Sequence, residues 1–328
     1  MIKPSADGLT VSVLVANFNY GRFLGAAIES VLAQSRPVQE ILVCDDGSTD
    51  DSCTVAERYA ARHDRVKLLR KTNGGQGSAF NTAFAASSGQ IVCLLDSDDV
   101  LAEHKVARVV DVFAAMPEVG WVRHKLRLAD ESLAPLEAVL PAFRGSRKVR
   151  GKYAHLEKTV TFNAAVSLRR ELAERLFPIP EHAFRRGPDL YLDFMCGVLG
   201  ATGYSLDQEL GLYRRHSAQV SASGGDFQAA LEAEIGMTRA FLSVEPCQGY
   251  IPTHLYKHEM VAAYMRSGHI LDRRRLALCA GGLASAGRMA KEGSAGLALL
   301  QLAKLAYGFL LPRSWIRRQR KRNAWCPA

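Results

Sequence analysis

The stretch Ile91-Val-Cys-Leu-Leu-Asp-Ser-Asp-Asp99 decides the fold of this chain. Its five apolar residues predict a buried strand, and that strand runs straight into three carboxylates. In sheets built mostly of parallel strands, ligands bind beyond the carboxyl ends of the strands. The stretch therefore predicts an α/β sheet with an acidic ligand site at one edge.

Outward from this stretch, the first hundred residues alternate between short apolar runs and amphipathic segments. Leu24, Ile28 and Val31 recur at helical spacing, whereas the apolar run at 40–44 ends abruptly in Asp45-Asp46. Strands that alternate with helices of about ten residues indicate βαβ units and a mostly parallel sheet. We predict strands at 11–16, 40–44, 66–69 and 91–95, and helices at 23–34, 50–62 and 78–86.

Beyond Glu103 the pattern changes. The sequence predicts an irregular basic segment at 129–158, and helices only beyond Gly224. We therefore divide the chain into an α/β domain at 1–222 and a helical extension at 223–328. Within the first domain we also predict helices at 105–116, 171–176 and 190–199, and a strand at 120–128.

The composition is that of a folded protein. The 328 residues are 48% hydrophobic and 23% charged, which excludes the disordered, collagen-like and disulfide-scaffold classes. No apolar run reaches the roughly 18 residues that a membrane span needs, and residues 1–10 lack the apolar core of a secretory signal. The seven cysteines form no CxxC pair, and Cys44 and Cys93 lie inside apolar runs. Such buried thiols favour a reducing cytoplasm.

The positive charge is concentrated at the C-terminus. The chain has 42 basic and 33 acidic residues, a net charge of +9, and residues 313–328 contain six of the basic residues and no acid. A tail of this kind argues against a nucleic-acid groove along the whole protein, and it indicates an acidic partner near the C-terminus. The six residues are Arg313, Arg317, Arg318, Arg320, Lys321 and Arg322.

The carboxylates that follow residue 95 predict a metal site. Asp96, Asp98 and Asp99 are delivered to one point by the strand in front of them, where their repulsion favours a divalent cation with hard oxygen ligands, magnesium or manganese. Such a cation can bridge a diphosphate and stabilise charge on a departing phosphate oxygen. The alternative is a solvated acidic turn in which Asp98 or Asp99 caps the next helix.

Two further loops carry chemistry. In Asp45-Asp46-Gly47-Ser48-Thr49-Asp50 a carboxylate could hold a ribose or the imide edge of a base, while Ser48 or Asp50 caps the following helix. The Gly-rich segment 71–78 enters a helix, so its amides suit a phosphate or a nucleotide edge. Its glycines could also serve only a tight turn, and the spacing is not that of a P-loop.

Five segments together resemble family 2 of the glycosyltransferases, the large inverting group with the GT-A fold. Val11–Tyr20 looks like the opening strand of the family and Ile28–Ser35 like its first helix. The next three signatures, in order and at the usual spacing, are similar to residues 40–52, 73–81 and 89–99. The resemblance is dense over 9–104 and thinner over 160–221. It implies transfer of a sugar from a nucleotide-diphospho-sugar, with a UDP-sugar as the expected donor.

The resemblance also implies roles for individual residues. Asn17 and Asp46 would lie at the base and ribose. Phe80 stands where the family often has arginine, which removes a guanidinium from the phosphate or the base. The donor set implied is Ala16, Asn17, Asn19, Asp46, Asn73, Gln76, Asp96, Asp98 and Arg214. The set implied for the manganese or magnesium ion is Asp98, Asp99 and His216, the last from a segment similar to the family's Tyr-Arg-x-His.

Inverting transfer needs a carboxylate that takes the proton of the acceptor hydroxyl. In the family this residue begins a helix after the central sheet, and the matching stretch is Gly187-Pro-Asp-Leu-Tyr-Leu192. The resemblance therefore implies Asp189 as the base, with Asp193 as the competitor and a plain helix N-cap as the structural alternative. Thr161-Phe162-Asn163 and Leu168-Arg169-Arg170 look like the family's acceptor-side segment.

The C-terminal residues admit two interpretations. The apolar stretch 297–311 and the basic run up to 322 suit a helix lying at an anionic membrane surface, or an amphipathic helix packed on the domain with a basic tail.

The sequence thus predicts a cytoplasmic inverting glycosyltransferase, and the first of the two C-terminal interpretations would place it at the inner face of the membrane. Its acceptor would be a lipid-linked or cell-surface glycan precursor. The alternatives are a sugar-phosphate nucleotidyltransferase and an inactive sugar-nucleotide-binding scaffold.

Overall fold

The computed structural model describes residues 8–141, 143–149, 162–182, 184–217, 219 and 273–291, and a few positions between 298 and 310. The chain divides into two compact units, Met1–Arg215 and His216–Ala328.

Half of the sheet in the first unit is parallel. Its strands run in the order β3-β2-β1-β4, every neighbouring pair is parallel, and β1 and β2 are buried at all positions. Burial on both faces explains the continuous apolar runs. These strands are β1 (Val11–Asn17), β2 (Glu40–Asp45), β3 (Val66–Arg70) and β4 (Ile91–Asp96). The predicted strands of the first hundred residues are confirmed.

The predicted helices between these strands are present as well. In the first of them Phe23, Leu24, Ile28 and Val31 are buried, which gives one apolar face at helical spacing. The helices between the strands are α1 (Gly21–Leu32), α2 (Ser52–Ala60) and α3 (Gln76–Ala85), and the helix predicted beyond Glu103 is α4 (Lys105–Ala115).

The other half of the sheet is mixed, and the sequence predicted it incompletely. The strand Gly203–Arg214 (β10) was missed because polar residues in its middle interrupt the apolar pattern. The expectation of an irregular segment at 129–158 is wrong for its described part, where two strands form; residues 150–158 lie outside the described residues. The strands are β5 (Val100–Leu101), β6 (Trp121–Ala129), β7 (Pro135–Leu140), β8 (Arg147–Val149), β9 (Val166–Arg169) and β10 (Gly203–Arg214).

Three further α-helices are described, namely α5 (Arg170–Leu176), α6 (Pro188–Val198) and, in the second unit, α7 (Arg273–Lys291), and a 3-10 turn at Asn163–Ala165 precedes β9. The N-cap of α6 is Gly187, with a φ of 66° in the left-handed region. Asp189 is the second residue of the helix, so the alternative that it is the N-cap is wrong. Among the described residues no helix is both long and apolar enough to cross a membrane.

The register of the central strands brings their polar ends together. Asn17 of β1 lies beside Asp45 of β2, and Ala16 lies beside Asp96 of β4. The two acidic loops and the end of β1 therefore meet at one edge of the sheet, as expected for parallel strands.

Candidate functional site

The carboxylates at the end of β4 form a compact cluster. One oxygen each from Asp96, Asp98 and Asp99 lies within 4.8 Å of the others. Asp98 and Asp99 are buried, and Oδ2 of Asp99 has no hydrogen-bond partner. A buried carboxylate oxygen without a donor is costly unless something positive faces it.

The electrostatics of the cluster favour a cation. Burial, and then repulsion from Asp98 and Asp189, raises the pKa of Asp96 to about 8. Burial, and then repulsion from Asp98 and Asp96, raises the pKa of Asp99 well above its usual range. A divalent cation would relieve this repulsion and suits an all-oxygen donor set. The residues therefore fit the predicted metal ion, with Asp99 Oδ2 as the open donor.

Arg214 donates hydrogen bonds to the loop that carries Asp98 and Asp99. Its backbone N–H donates to Asp99 Oδ1 at 3.0 Å, its Nε to the Asp98 carbonyl at 2.7 Å and its Nη1 to the Glu131 carbonyl at 2.6 Å. The guanidinium also lies over the ring of Phe23, 4.6 Å from its centroid. These contacts hold the loop in place, and the donor-binding role implied for Arg214 stays a prediction.

The role of His216 also stays a prediction. His216 is buried and is the first residue of the second unit, whereas the three carboxylates of the cluster belong to the first.

Two amides hold the Asp96 carboxylate. Gln76 Nε2 donates to Asp96 Oδ1 at 2.7 Å, and Asn163 Nδ2 lies 3.1 and 3.2 Å from the two oxygens. The sequence analysis placed Asn163 in a segment similar to the family's acceptor side but did not predict its contact with Asp96. Thr161 of that segment lies outside the described residues.

At the end of β1, the predicted donor residues bond to the neighbouring loop. Asn17 Nδ2 donates to Asp45 Oδ2 at 2.8 Å, and Asn19 Oδ1 accepts from the Thr49 amide at 2.8 Å. Between them Phe18 is 44% exposed, an aromatic ring beside an apolar strand end that the sequence analysis overlooked. The signal was an aromatic residue between two asparagines directly after a buried strand.

Asp46 anchors the Gly-rich loop. Its Oδ1 accepts from Lys71 Nζ at 2.8 Å and from the Gly74 amide at 2.9 Å, and its Oδ2 from the Gly75 amide at 2.7 Å. Asn73 Nδ2 also donates to the Asp46 carbonyl at 3.1 Å. The contacts to base or ribose expected of Asp46 and Asn73 stay predictions, and in this structure their polar atoms organise the loop.

The loop then packs against the segment that precedes α6. Gly75 has a φ of 95°, and a Cβ there would meet the Arg185 backbone at 2.7 Å. Only glycine combines this dihedral angle with such a close approach. The Gln76 amide donates to the Arg185 carbonyl at 2.7 Å, so the backbones of the two segments are joined.

Asp189 has the properties of a general base. It is partly buried, and its Oδ1 accepts from the Leu190 amide at 3.0 Å. Burial, together with the charge of Asp193, raises the pKa of Asp189 to about 7. Hydrogen bonds from the backbone act in the opposite direction, but they are outweighed. A base whose pKa lies near neutrality is partly unprotonated at physiological pH and still binds a proton well.

The competitor, Asp193, faces a buried cation. Its Oδ1 lies 3.9 Å from Nη1 of Arg123, whose side chain is 1% exposed and whose Nε donates to Ser205 Oγ at 2.8 Å. The Asp193 carboxylate therefore faces a buried guanidinium, whereas Asp189 has the raised pKa that suits a base. These surroundings favour Asp189 over Asp193 as the base.

Comparisons with known proteins identify the family of this chain. The family described as glycosyl transferase family 2 matches residues 12–177. An uncharacterized glycosyltransferase of Nostoc sp. is 33% identical over 243 residues, which cover 72% of this chain and 75% of that protein.

Solved structures share the fold. TarS 1-349 of S. aureus, in complex with UDP-GlcNAc, matches with a TM-score of 0.60 and 15% identity over 95% of this chain and 93% of that one. The mannosyltransferase PcManGT of Pyrobaculum calidifontis, in complex with GDP-Man and Mn²⁺, matches with a TM-score of 0.54 and 20% identity, over 97% and 85% of the two chains. These matches confirm the predicted α/β fold of the GT-A type.

Proposed function

Because this chain belongs to glycosyltransferase family 2, we propose that it transfers a sugar, with inversion, from a nucleotide-diphospho-sugar to an acceptor hydroxyl. One observation carries the proposal. The side chain of Gln76 bonds both to Asp96, in the carboxylate cluster at the end of β4, and to Gly187, at the start of the helix that bears Asp189. A cation site for a diphosphate and a base of near-neutral pKa are thereby neighbours.

The donor side of the proposal rests on the acidic cluster. Asp98 and Asp99 would hold a divalent cation, Mn²⁺ or Mg²⁺, while Asp96 is oriented by its two amide donors. When bound, the cation supplies positive charge to the diphosphate as it departs. Phe18 offers an exposed ring on which a base can stack, next to Asn17 and Asn19.

The acceptor side rests on Asp189. Its carboxylate takes the proton of the acceptor hydroxyl while the oxygen of that hydroxyl forms a bond to the anomeric carbon. The bond from that carbon to the diphosphate oxygen breaks on the opposite face of the sugar, which inverts the configuration. The nearly neutral pKa of Asp189 suits this step because the group is partly ionised at physiological pH.

We expect a screen of nucleoside diphosphates to identify the donor. UDP should raise the melting temperature with manganese present, since a ligand at 100 times its Kd stabilises the native state by about 2.7 kcal/mol. GDP is the second candidate. The measurement is a thermal-shift assay with and without manganese, followed by release of the nucleoside diphosphate from UDP- and GDP-sugars.

Three results of this screen would contradict the proposal. Stabilisation without any release from any nucleotide-sugar, with or without glycan acceptors, would indicate an inactive binding protein. Release of pyrophosphate from a nucleoside triphosphate and a sugar phosphate would indicate a nucleotidyltransferase. No response to any nucleoside diphosphate would remove the donor site altogether.

We further propose that the second unit holds the enzyme at an anionic membrane surface, where a lipid-linked or cell-surface glycan precursor would be the acceptor. Four of the six large hydrophobic side chains that are exposed in the described part of the chain belong to this unit: Leu276, Leu283, Leu299 and Leu310. The six basic residues of 313–322 follow in sequence and lie outside the described residues. Apolar contact combined with basic charge is the usual requirement for peripheral binding.

The full-length protein should co-sediment with anionic vesicles and be released by salt. Each basic residue near an anionic surface contributes about 1 kcal/mol, and salt screens this attraction over about 8 Å at physiological strength. Deletion of 297–328 should abolish binding and leave nucleotide binding intact. A control that replaces the six basic residues with glutamine keeps the chain length and should also lose binding. Equal binding of the full-length protein to neutral and anionic vesicles would end this proposal.

A further inference from the structure

Gln76 joins two parts of the site through one side chain. Its Nε2 donates to Asp96 Oδ1 at 2.7 Å, and its Oε1 accepts from the Gly187 amide at 3.2 Å. Both ends of the amide are therefore occupied by protein groups, one in the acidic cluster and one at the N-cap of α6.

The backbone of Gln76 is held by contacts with the segment before α6. Its backbone N–H donates to the Arg185 carbonyl, and Arg185 Nη2 donates to Asn73 Oδ1 of the Gly-rich loop at 2.8 Å. The loop is itself anchored on the buried carboxylate of Asp46. The backbone of Gln76 is thus held in place on the sheet, and its side chain transmits that position to Gly187.

The position of Gly187 determines where Asp189 stands. Gly187 adopts a left-handed conformation and caps α6, and Asp189 follows two residues later in the first turn. A shift at the cap would move this turn and the carboxylate with it. Misplacement of a reacting group by about 1 Å can cost roughly 100-fold in rate.

We propose that Gln76 is a positioning residue that couples the acidic cluster to the start of α6 and so sets the place of Asp189 relative to the donor. This assignment rests on the proposed function and differs from the direct contact with the nucleotide-sugar that the family resemblance implied for Gln76. The amide acts on the reaction through Gly187 and Asp96.

Asn163 provides a matched control. It also gives Asp96 an amide donor, but within the described part of the chain its side chain makes no hydrogen bond to Gly187. Gln76→Met and Asn163→Leu each replace an amide that donates to Asp96 with an apolar side chain of similar size. Only Gln76→Met also removes the oxygen that accepts from the Gly187 backbone N–H. Gln76→Asn keeps the amide, but the side chain is one methylene too short to reach both partners.

Hydrogen exchange tests the coupling without any substrate. In the full chain, Gln76→Met and Gln76→Asn should speed exchange over residues 187–192 by roughly 2- to 10-fold, the equivalent of one net hydrogen bond. Asn163→Leu should leave exchange there unchanged. Equal exchange at 187–192 in all three variants and the wild type would overturn the proposal. Should Gln76→Met fail to fold, the asparagine variant decides.

Kinetics test the consequence for the reaction. At saturating donor and metal, the Gln76 variants should lower kcat by roughly 10- to 100-fold, in line with a misplaced base, whereas Asn163→Leu should act mainly on donor and metal affinity. Lost donor affinity with unchanged kcat in Gln76→Met would make Gln76 a donor ligand and overturn the proposal. If no donor is ever turned over, the proposed function fails, and the exchange experiment still decides on Gln76.

Discussion

Asp189→Asn should lower turnover by about 100-fold or more, while the affinity for the donor stays near that of the wild type. The substitution keeps the shape of the side chain and its hydrogen bond from Leu190, and it removes the basicity. A positioned general base contributes roughly 10² to 10⁴ in rate, and donor binding depends on other groups. Steady-state kinetics together with a donor-binding titration separate the two effects.

The pH profile provides the control for this prediction. The base must be unprotonated, so kcat of the wild type should rise as the pH increases through about 7, the pKa of Asp189. In Asp189→Asn this rise should disappear. In Asp193→Asn it should move to lower pH, because the charge of Asp193 is one cause of the raised pKa of Asp189. Near-normal turnover in Asp189→Asn would transfer the role to Asp193 or refute inversion by a carboxylate base.

Asp98→Asn should weaken metal-dependent binding of the nucleoside diphosphate by at least about 100-fold. The loss of even an outer-shell partner of a metal ligand costs about 10- to 100-fold in affinity, and Asp98 supplies one of the three clustered carboxylates. Without metal, the variant should keep its fold, since the substitution nearly preserves the shape of the side chain and the lost attraction to Arg214 is offset by relieved repulsion with Asp96 and Asp99.

Asp111→Asn provides the control for charge alone. Asp111 is exposed on α4 and faces Arg108 at 3.8 Å, so the same change of charge there should leave binding unaltered. Titration calorimetry of UDP with and without manganese measures the effect. If Asp98→Asn binds with the affinity and metal dependence of the wild type, the cation site lies elsewhere.

The sequence alone was sufficient for the parallel half of the sheet and for the acidic residues at its edge. Apolar runs and helical spacing are local properties, so 91–95 indicates a strand and 23–34 a helix without knowledge of the neighbours. The placement of Asp96, Asp98 and Asp99 directly after a buried strand also follows from chain order. The mixed half was harder to predict. β10 pairs with residues of β6 about 80 positions earlier, and the exposed residues Gln208 and Glu209 interrupt its apolar pattern.

What only the tertiary structure decided is which polar groups bond to which. The three carboxylates and the helix of Asp189 are visible in the sequence, but the amide of Asn163 reaches Asp96 across 67 positions and Gln76 reaches Gly187 across 111. The guanidinium of Arg214, expected at the donor, donates to the carbonyls of Asp98 and Glu131. A hydrogen bond forms only within about 3.5 Å and in the right direction, and no local pattern encodes such a meeting between distant segments. It arises when the sheet and its loops pack together.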